Sequence, residues 1–408
     1  MIADRQFKIL HLLSAVHGSQ GQSANSGLRA HLLPLLSKMD QGHFKMQVIN
    51  FAAGDQHGAL LRKSGVPVFD IELSRRRFAL GAVSELRQRV TSFKPDLIHA
   101  WGHSAQLATR ILRGAGQTTP MIWSMPATSP SAHTEQQHWL DRYKLKLLTR
   151  QAHRPAHLVY GSTAGAAQYA RLGFPESAGC VINIGADADR FKPDARQGQR
   201  LRAQLKLDAS AYVIGMYAPF TDKSDYATFI RATAELIKYQ PEIHVIVAGR
   251  GVQRGNSGIM AMLGGGTLAT RTSLLGDWSD LGALFNACDV VCSSALDDSG
   301  AAMLASAMLC GIPCVGTGRG LQGEVLFNHG ITVESGSVTG LARGITRIME
   351  MPADKRAYLT ESARQHIINH HSTQSAVQKY LSLYLQMMHG EEAATAEQAM
   401  KLARAASQ

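Results

Sequence analysis

Short apolar runs alternate with amphipathic segments along almost the whole chain. In the first half we predict six buried strands, from the runs FKILHLLSA, KMQVINFA, DLIHAW, MIWSMP, HLVYGS and CVINIG. Segments with helical periodicity lie between them, among them GLRAHLLPLLSKM and AVSELRQRVTSF. This alternation is typical of a doubly wound α/β domain with a parallel sheet.

The pattern stops at a polar segment, DADRFKPDARQGQRLRAQLKLDAS, and then starts again. Six further strands are predicted from AYVIGMYA, HVIVAGR, RTSLLGD, DVVCSS, PCVGTG and GITVES. We therefore predict two Rossmann-like domains, residues 1–192 and 193–372, with a cleft between the carboxyl ends of their strands. Residues 373–408 are expected to form a C-terminal helix and tail that cross back toward the first domain.

Composition and charge narrow the class of protein. Apolar residues make up 45 % of the 408, enough for real cores, and the net charge of +11 favours acidic partners. Aromatic residues rarely interleave with the basic ones, which argues against nucleic-acid binding. The sequence shows neither a run of ~18 apolar residues nor a signal-peptide layout, so a cytoplasmic location is expected.

Five cysteines include two pairs with C-x-x-x-C spacing, Cys288 with Cys292 and Cys310 with Cys314. The first pair is expected on a strand, where four steps separate side chains by ~13 Å, too far to share one ion. We therefore expect free thiols in the core and no metal site.

Four segments in order carry recognisable motifs: FKPDLIHAWGHSAQLATRIL, VINIGADADRFKP, VIGMYAPFTDKSDYATFIRA and SALDDSGAAMLASAMLCGIPCVGT. In them the chain resembles the retaining family-four glycosyltransferases of the GT-B fold, over nearly its whole length. The resemblance implies an α/β fold of the GT-B type, with a nucleotide-sugar donor in the second domain and an acceptor in the first. It implies no metal and no cofactor besides that donor.

The family's donor-binding side chains are largely replaced in this chain. Its phosphate-binding Arg falls on Pro219 and its Lys on Ser224, with Lys223 one position away. The first acid of the E-x7-E element falls on Asp298 and the second on Ser306. Proline has no side-chain donor, and each lost hydrogen bond to a charged group costs roughly 1.5–3 kcal/mol.

The remaining donor position is in the first domain, where the family's pair of glycines is reduced to Ser26 and Gly27. Candidate catalytic groups are few, and none is certain: His99, His103 and Asp298. The two histidines are expected at the end of a strand, either to contact a ligand or to make a local hydrogen bond. Asp298 and its neighbour Asp297 could hold a ribose, a sugar or a cation, or could form the turn before Gly300.

A basic amphipathic segment, HWLDRYKLKLLTRQAHRP, places Arg142, Lys146 and Arg150 at helical spacing. Together with Arg75–Arg77 it could dock on an anionic membrane, or it could be an ordinary solvated helix face. We expect a cytoplasmic protein, peripheral at the inner face of the membrane if this docking occurs.

Two functions are compatible with these features. One is a non-catalytic, pseudo-glycosyltransferase partner of another glycosyltransferase subunit in bacterial cell-surface or exopolysaccharide biosynthesis. The alternative is an active retaining glycosyltransferase that moves a sugar from a nucleotide-sugar donor to a lipid-linked or glycan acceptor. The discriminating feature is positive charge at the donor diphosphate: convergence of Lys223, Arg250 or Arg319 there would favour the enzyme.

Overall fold

The structure is a computed structural model. It describes residues 6–14, 32–33, 35–39, 43–51, 61–63, 65–71, 79–125, 145–150, 152, 157–175, 179–183 and 185–389. The chain divides into two compact units. Unit 1 combines Met1–Ile184 with Ala376–Gln408, and unit 2 is Gly185–Ser375. The division falls slightly before the predicted boundary at residues 192–193.

Unit 1 is built on one parallel sheet of seven strands. The strands are β1 (Phe7–Leu13), β2 (Phe44–Asn50), β3 (Val68–Asp70), β4 (Leu97–Trp101), β5 (Met121–Ser124), β6 (His157–Tyr160) and β7 (Gly179–Val181). Their spatial order is β3-β2-β1-β4-β5-β6-β7. Helices α1 (Ala79–Phe93), α2 (His103–Gly114) and α3 (Thr163–Arg171) connect them. Strand order reverses between β1 and β4, as in a doubly wound sheet.

Unit 2 contains a second parallel sheet, of six strands. These are β8 (Tyr212–Tyr217), β9 (Ile243–Ala248), β10 (Thr272–Leu274), β11 (Val290–Ser293), β12 (Cys314–Thr317) and β13 (Ile331–Val333). Their order is β10-β9-β8-β11-β12-β13, so the reversal lies between β8 and β11. All the strands that the apolar runs predicted are present. Only β3, a three-residue strand, was not predicted.

The remaining helices of the described chain belong to unit 2, except the last one, most of which belongs to unit 1. They are α4 (Ala195–Gln204), α5 (Tyr226–Tyr239), α6 (Ser257–Leu263), α7 (Thr267–Thr270), α8 (Leu281–Asn286), α9 (Ala301–Leu309), α10 (Gly320–Leu326), α11 (Val338–Met349), α12 (Ala353–His370) and α13 (Thr373–His389). Short 3-10 turns occupy Asp222–Ser224 and Asp298–Gly300. None of the described helices is long and apolar enough to cross a bilayer.

The polar segment that interrupts the pattern contains a helix that was not predicted from the sequence. This helix is α4, whose first turn is capped by Asp194 through the backbone N–H of Gln197. Arg202 fixes the other end: its guanidinium pairs with Asp289 at 2.6 Å and donates to the carbonyl of Ala287. Gly198 allows this close packing, because a Cβ there would lie 2.0 Å from the carbonyl oxygen of Asn286.

Helix α13 completes the core of unit 1. Tyr380 and Tyr384 on this helix are buried in the same cluster as strand residues such as Ile9. The Tyr384 hydroxyl lies 2.6 Å from His99 Nδ1, in the middle of β4. Ser124 Oγ lies 2.8 Å from the other ring nitrogen of His99. The C-terminal helix is therefore bound to the sheet by packing and by a buried polar network.

His11 lies on β1 beside this network. It is fully buried and accepts a hydrogen bond from Trp101 Nε1 at its Nδ1, 3.1 Å away. Its Nε2 has no partner among the described residues. Burial lowers the pKa of His11 to about 3. The folded protein therefore keeps this ring neutral, whereas an unfolded chain protonates it near pH 6.5.

We expect the stability of unit 1 to fall in mild acid because of His11. Its contribution is full above about pH 6.5 and is lost as the pH falls toward 3, since only the unfolded chain binds the proton. Between pH 6.5 and 5 the loss is about 2 kcal/mol. Urea unfolding at pH 7 and pH 5 should show a smaller pH effect in His11→Gln, which keeps an acceptor for Trp101. Identical pH effects in parent and variant would contradict this assignment.

All five cysteines are free thiols. Four are buried, and burial raises their pKa. Cys288 precedes β11 rather than lying on it, and its thiol donates to the Leu284 carbonyl. Within the described ranges, no group of three or more His, Cys, Asp or Glu side chains is arranged to hold a metal ion. The four buried thiols are core residues, as expected from the sequence, and Cys180 is half-buried.

Candidate functional site

The predicted donor positions of unit 2 gather at the carboxyl edge of its sheet. Pro219, Lys223 and Ser224 lie in the loop that follows β8, and Asp298 lies in the loop that follows β11. Because β8 and β11 are neighbours at the strand reversal, these two loops flank the position where doubly wound sheets bind ligands. Ser306 lies farther along, on α9.

Hydrogen bonds from one side-chain hydroxyl and one backbone N–H join the two loops to each other. Ser294 Oγ donates to the carbonyls of Ser224 and Asp225, both at 2.9 Å. The backbone N–H of Leu296 donates to the Lys223 carbonyl at 2.8 Å. Asp225 itself has φ of 46° and caps α5 through the N–H of Thr228. The loop after β8 is thus held closely against the loop after β11.

Ser224 is turned into the loop rather than toward a ligand. Only 1 % of its surface is exposed. Its hydroxyl donates to the Pro219 carbonyl at 2.7 Å and lies 3.1 Å from Thr221 Oγ1. Pro219 is exposed but has no polar side-chain atom to offer. The two positions that should supply cations therefore contribute a buried hydroxyl and an apolar ring.

Lys223 is the one cation at the predicted donor positions, and it faces a carboxylate. Its Nζ lies 3.6 Å from Asp297 Oδ2, with 65 % of the Lys223 side chain exposed. Such an exposed pair is worth little in stability. It nevertheless places a negative charge beside the amino group that a diphosphate would need.

Asp298 bonds inward to the backbone of α10. Its Oδ1 accepts from the N–H of Leu321 at 2.7 Å. Burial raises the pKa of Asp298, and the nearby acids Asp297 and Glu324 raise it further, while the Leu321 bond opposes the shift. Gly320 is required here, because it has φ of 56° and a Cβ would lie 2.0 Å from Asp298 Oδ1.

Ser306 also bonds within its own element. Its hydroxyl donates to the Ala302 carbonyl one turn earlier, at 2.8 Å, and the residue is buried. Asp297 caps the neighbouring turn, Asp298–Gly300, by accepting from the N–H of Ser299. That turn-forming role is one of the two interpretations that the sequence left open.

Sequence analysis missed two residues that shape this edge. Gln322 is fully buried, and its side-chain amide donates to the carbonyls of Ala295 and Asp297, which fixes the loop after β11. Gly249 has φ of 142°, and a Cβ there would lie 1.9 Å from the Ala218 carbonyl oxygen. The glycine in GRG could have suggested such a close approach, whereas Gln322 has no sequence signal.

The other two cations that could support catalysis, Arg250 and Arg319, are exposed. Neither forms an ion pair with a residue in the described part of the chain. The backbone carbonyl of Arg250 accepts from Phe220 at 2.8 Å, which places it at the start of the donor loop. No described contact joins either guanidinium to Lys223.

The prediction for His99 in unit 1 needs correction, whereas His103 does follow the end of β4. His99 is not at the end of its strand: it lies in the middle of β4 and is fully buried, with its ring stacked on Trp101 at 4.1 Å. Its two nitrogens contact Tyr384 and Ser124, so the local hydrogen-bond interpretation fits. His103 is half-buried and begins α2, with its ring 6.5 Å from that of Tyr169.

Several predicted positions lie outside the described residues, namely Ser26, Gly27, Arg75–Arg77 and Arg142. Within the basic segment, the structure describes residues 145–150. Lys146 and Arg150 are exposed there, and Leu148 is buried. This alternation fits a helix that packs one face on the protein and leaves the charges in solvent.

Two family models match the chain, one in each half. "Glycosyl transferase 4-like domain" matches residues 26–185. "Glycosyl transferases group 1" matches residues 198–366. The chain therefore contains a glycosyltransferase 4-like domain followed by a group 1 glycosyltransferase domain. No curated protein matches the chain significantly.

Solved structures share the fold at low identity. A glycosyltransferase from Rickettsia africae gives a TM-score of 0.77 at 16 % identity, covering 95 % of this chain and 100 % of that one. HepE from Anabaena, in complex with UDP and glucose, gives 0.72 at 22 %, covering 93 % and 99 %. The lipopolysaccharide outer core galactosyltransferase WaaB, in its apo form, gives 0.68 at 12 %, covering 93 % and 99 %. The fold is GT-B, which confirms the predicted fold class.

Proposed function

We propose that this chain, with its glycosyltransferase 4-like and group 1 domains on a GT-B fold, is a non-catalytic partner in bacterial cell-surface polysaccharide biosynthesis. The proposal rests on the side chains of the loop after β8. Its Ser224 hydroxyl is buried and bonded to the Pro219 carbonyl. The resemblance places the two donor-phosphate cations at those same positions. Here they offer no positive charge.

The chemistry of sugar transfer explains why this matters. The leaving group of a nucleotide sugar is a diphosphate, and its charge must be neutralised as the glycosidic bond breaks. In unit 2 the nearby amino group, Lys223, already faces Asp297 at 3.6 Å. Each missing charged hydrogen bond removes roughly 1.5–3 kcal/mol. Two absent cations would therefore weaken donor binding by a factor of 100 or more, at about 1.4 kcal/mol per tenfold.

The alternative is an active retaining glycosyltransferase with a modified donor site. The fold favours it, since the structurally similar HepE was solved with UDP-glucose at 21 % identity. In that case Arg250, which borders the donor loop, would be the substitute cation, and Asp298 would hold the sugar or ribose. The acceptor would be a lipid-linked or other glycan.

The pathway and the location are part of the proposal. Both HepE and WaaB are structural neighbours, and WaaB is described as an enzyme of the lipopolysaccharide outer core. A non-catalytic copy of such a fold would work by binding an active glycosyltransferase subunit or a glycan. The exposed Lys146 and Arg150 would add a weak attraction to the anionic inner face of the membrane.

Isothermal titration with UDP, GDP, ADP and UDP-glucose tests the proposal. We expect no saturable heat with any of them at concentrations up to about 1 mM, because the diphosphate finds one partly neutralised cation. Incubation with UDP-glucose should likewise release no UDP. Micromolar binding of one nucleotide, abolished by Arg250→Ala but retained in the matched surface variant Arg254→Ala, would favour the active enzyme instead.

A further inference from the structure

A groove opens on the helical layer of unit 2, away from the donor loops. It has a volume of about 650 Å³ and lies between α5 and α11, closed at one end by the start of α12. In a parallel α/β sheet each helix leaves from the carboxyl edge of one strand and ends near the amino edge of the next. The lining residues include Tyr239, Glu350 and Met351, at the ends of α5 and α11, so the groove lies toward the amino edge.

The groove combines an apolar floor with a projecting aromatic ring. Leu236, Ala342 and Met351 are buried or half-buried along its floor. Tyr239 stands at the rim with 84 % of its surface exposed. Tyrosine is enriched where protein interfaces are energetically strongest.

The rim carries charges of both signs. Arg343 and Arg347 are one turn apart on the exposed side of α11, with Lys355 nearby at the start of α12. Glu235 and Glu350 supply the negative charges. None of these five groups forms an ion pair with another residue in the described part of the chain. Their charge is therefore available to a partner.

We propose that this surface, the α5/α11 groove, is the interface of a two-fold symmetric dimer of the chain. A two-fold interface brings the same surface of both copies together, so that surface must complement itself. The rim meets this requirement in charge, because it carries both signs. The projecting Tyr239 of each copy finds an apolar groove opposite, and the arginines of each find the glutamates of the other.

A single ligand or an unrelated protein fits less well. A purely acidic partner would be attracted by Arg343 and Arg347 but repelled by Glu235 and Glu350. A second copy presents both signs in the same arrangement. Because the groove is away from the carboxyl edge of the sheet, dimerisation would leave the loops after β8 and β11 uncovered. The inference is independent of whether the chain is a catalyst.

Sedimentation equilibrium from about 1 to 100 µM tests the dimer directly. The parent chain should approach twice its monomer mass within that range. Tyr239→Ser should raise the dimer dissociation constant at least tenfold, since it removes the projecting aromatic ring. Tyr358→Ser is the matched control, because that tyrosine is 78 % exposed on α12 but does not line the groove, and it should dimerise like the parent.

Charge-reversal variants test whether this surface, rather than another one, forms the dimer. The double variants Arg343→Glu/Arg347→Glu and Glu235→Lys/Glu350→Lys should each be monomeric, with unchanged circular dichroism. Mixed in equal amounts, they should form a heterodimer. A parent chain that stays monomeric throughout the range would overturn the proposal. So would a dimer that neither Tyr239→Ser nor the charge variants weaken.

Discussion

The variant Pro219→Arg is expected to bind UDP at least ten times more tightly than the parent chain. The resemblance places a phosphate-binding Arg at this position. Each charged hydrogen bond gained is worth about 1.5–3 kcal/mol, or tenfold or more in affinity. Pro219 is exposed, so a longer side chain there meets no packed neighbour. Calorimetric titration with UDP measures the change.

Ser224 and Ser306 are left unchanged for a structural reason. Both are buried, and each hydroxyl donates to a backbone carbonyl, so a charged side chain at either position would have to displace its surroundings. Pro241→Arg, on an exposed proline at the amino edge of the sheet, controls for added charge alone. Equal affinity for UDP in Pro219→Arg and in Pro241→Arg would mean that the donor diphosphate does not bind beside residue 219.

Tyr384→Ala is expected to destabilise unit 1 by about 3–5 kcal/mol, the usual cost of removing a large buried side chain. Tyr384 is fully buried among core residues of β1 and β4, and its hydroxyl lies 2.6 Å from His99 Nδ1. Tyr384→Phe keeps the packing and removes only the hydroxyl, so about 1–3 kcal/mol should be lost. Differential scanning calorimetry would show the transition of unit 1 moving to lower temperature.

Gln386→Ala, on the exposed side of the same helix, is the matched control and should leave the transition where it is. The informative result is the order of the three variants in thermal stability. If Tyr384→Phe lowered the transition temperature as much as Tyr384→Ala, the hydrogen bond would contribute more to stability than the packing of the ring. If neither variant differed from Gln386→Ala in transition temperature, helix α13 would not contribute to the core of unit 1.

The fold was predictable because its strongest signals are local. Each long strand is a short apolar run, such as Tyr212–Tyr217, and such runs indicate buried parallel strands wherever they occur. Helix α4 was missed for the opposite reason. Its sequence is polar, and it is held in place by Arg202 bonding to Asp289, 87 positions later in the chain. A single polar segment gives no indication of such a partner.

The loops that carry the candidate donor residues were predictable, whereas the contacts of those residues were not. Motif spacing located Pro219, Ser224 and Asp298, and the structure places all three on the loops that flank the strand reversal. The Lys223–Asp297 pair depends on how two separate loops meet. His99 was placed at a strand end, whereas its burial depends on Tyr384, 285 positions later in the chain. Only tertiary packing brings these pairs of residues into contact.

The discontinuity of unit 1 has a consequence for how the chain folds during synthesis. Its sheet is complete once residue 181 has been made, but Tyr380 and Tyr384 are made only after the whole of unit 2. Unit 2, by contrast, is one continuous segment, Gly185–Ser375. Domains made first usually fold first. Here the order is expected to reverse, because the sheet face of unit 1 that packs against helix α13 stays exposed, and open to chaperones, until that helix has been made.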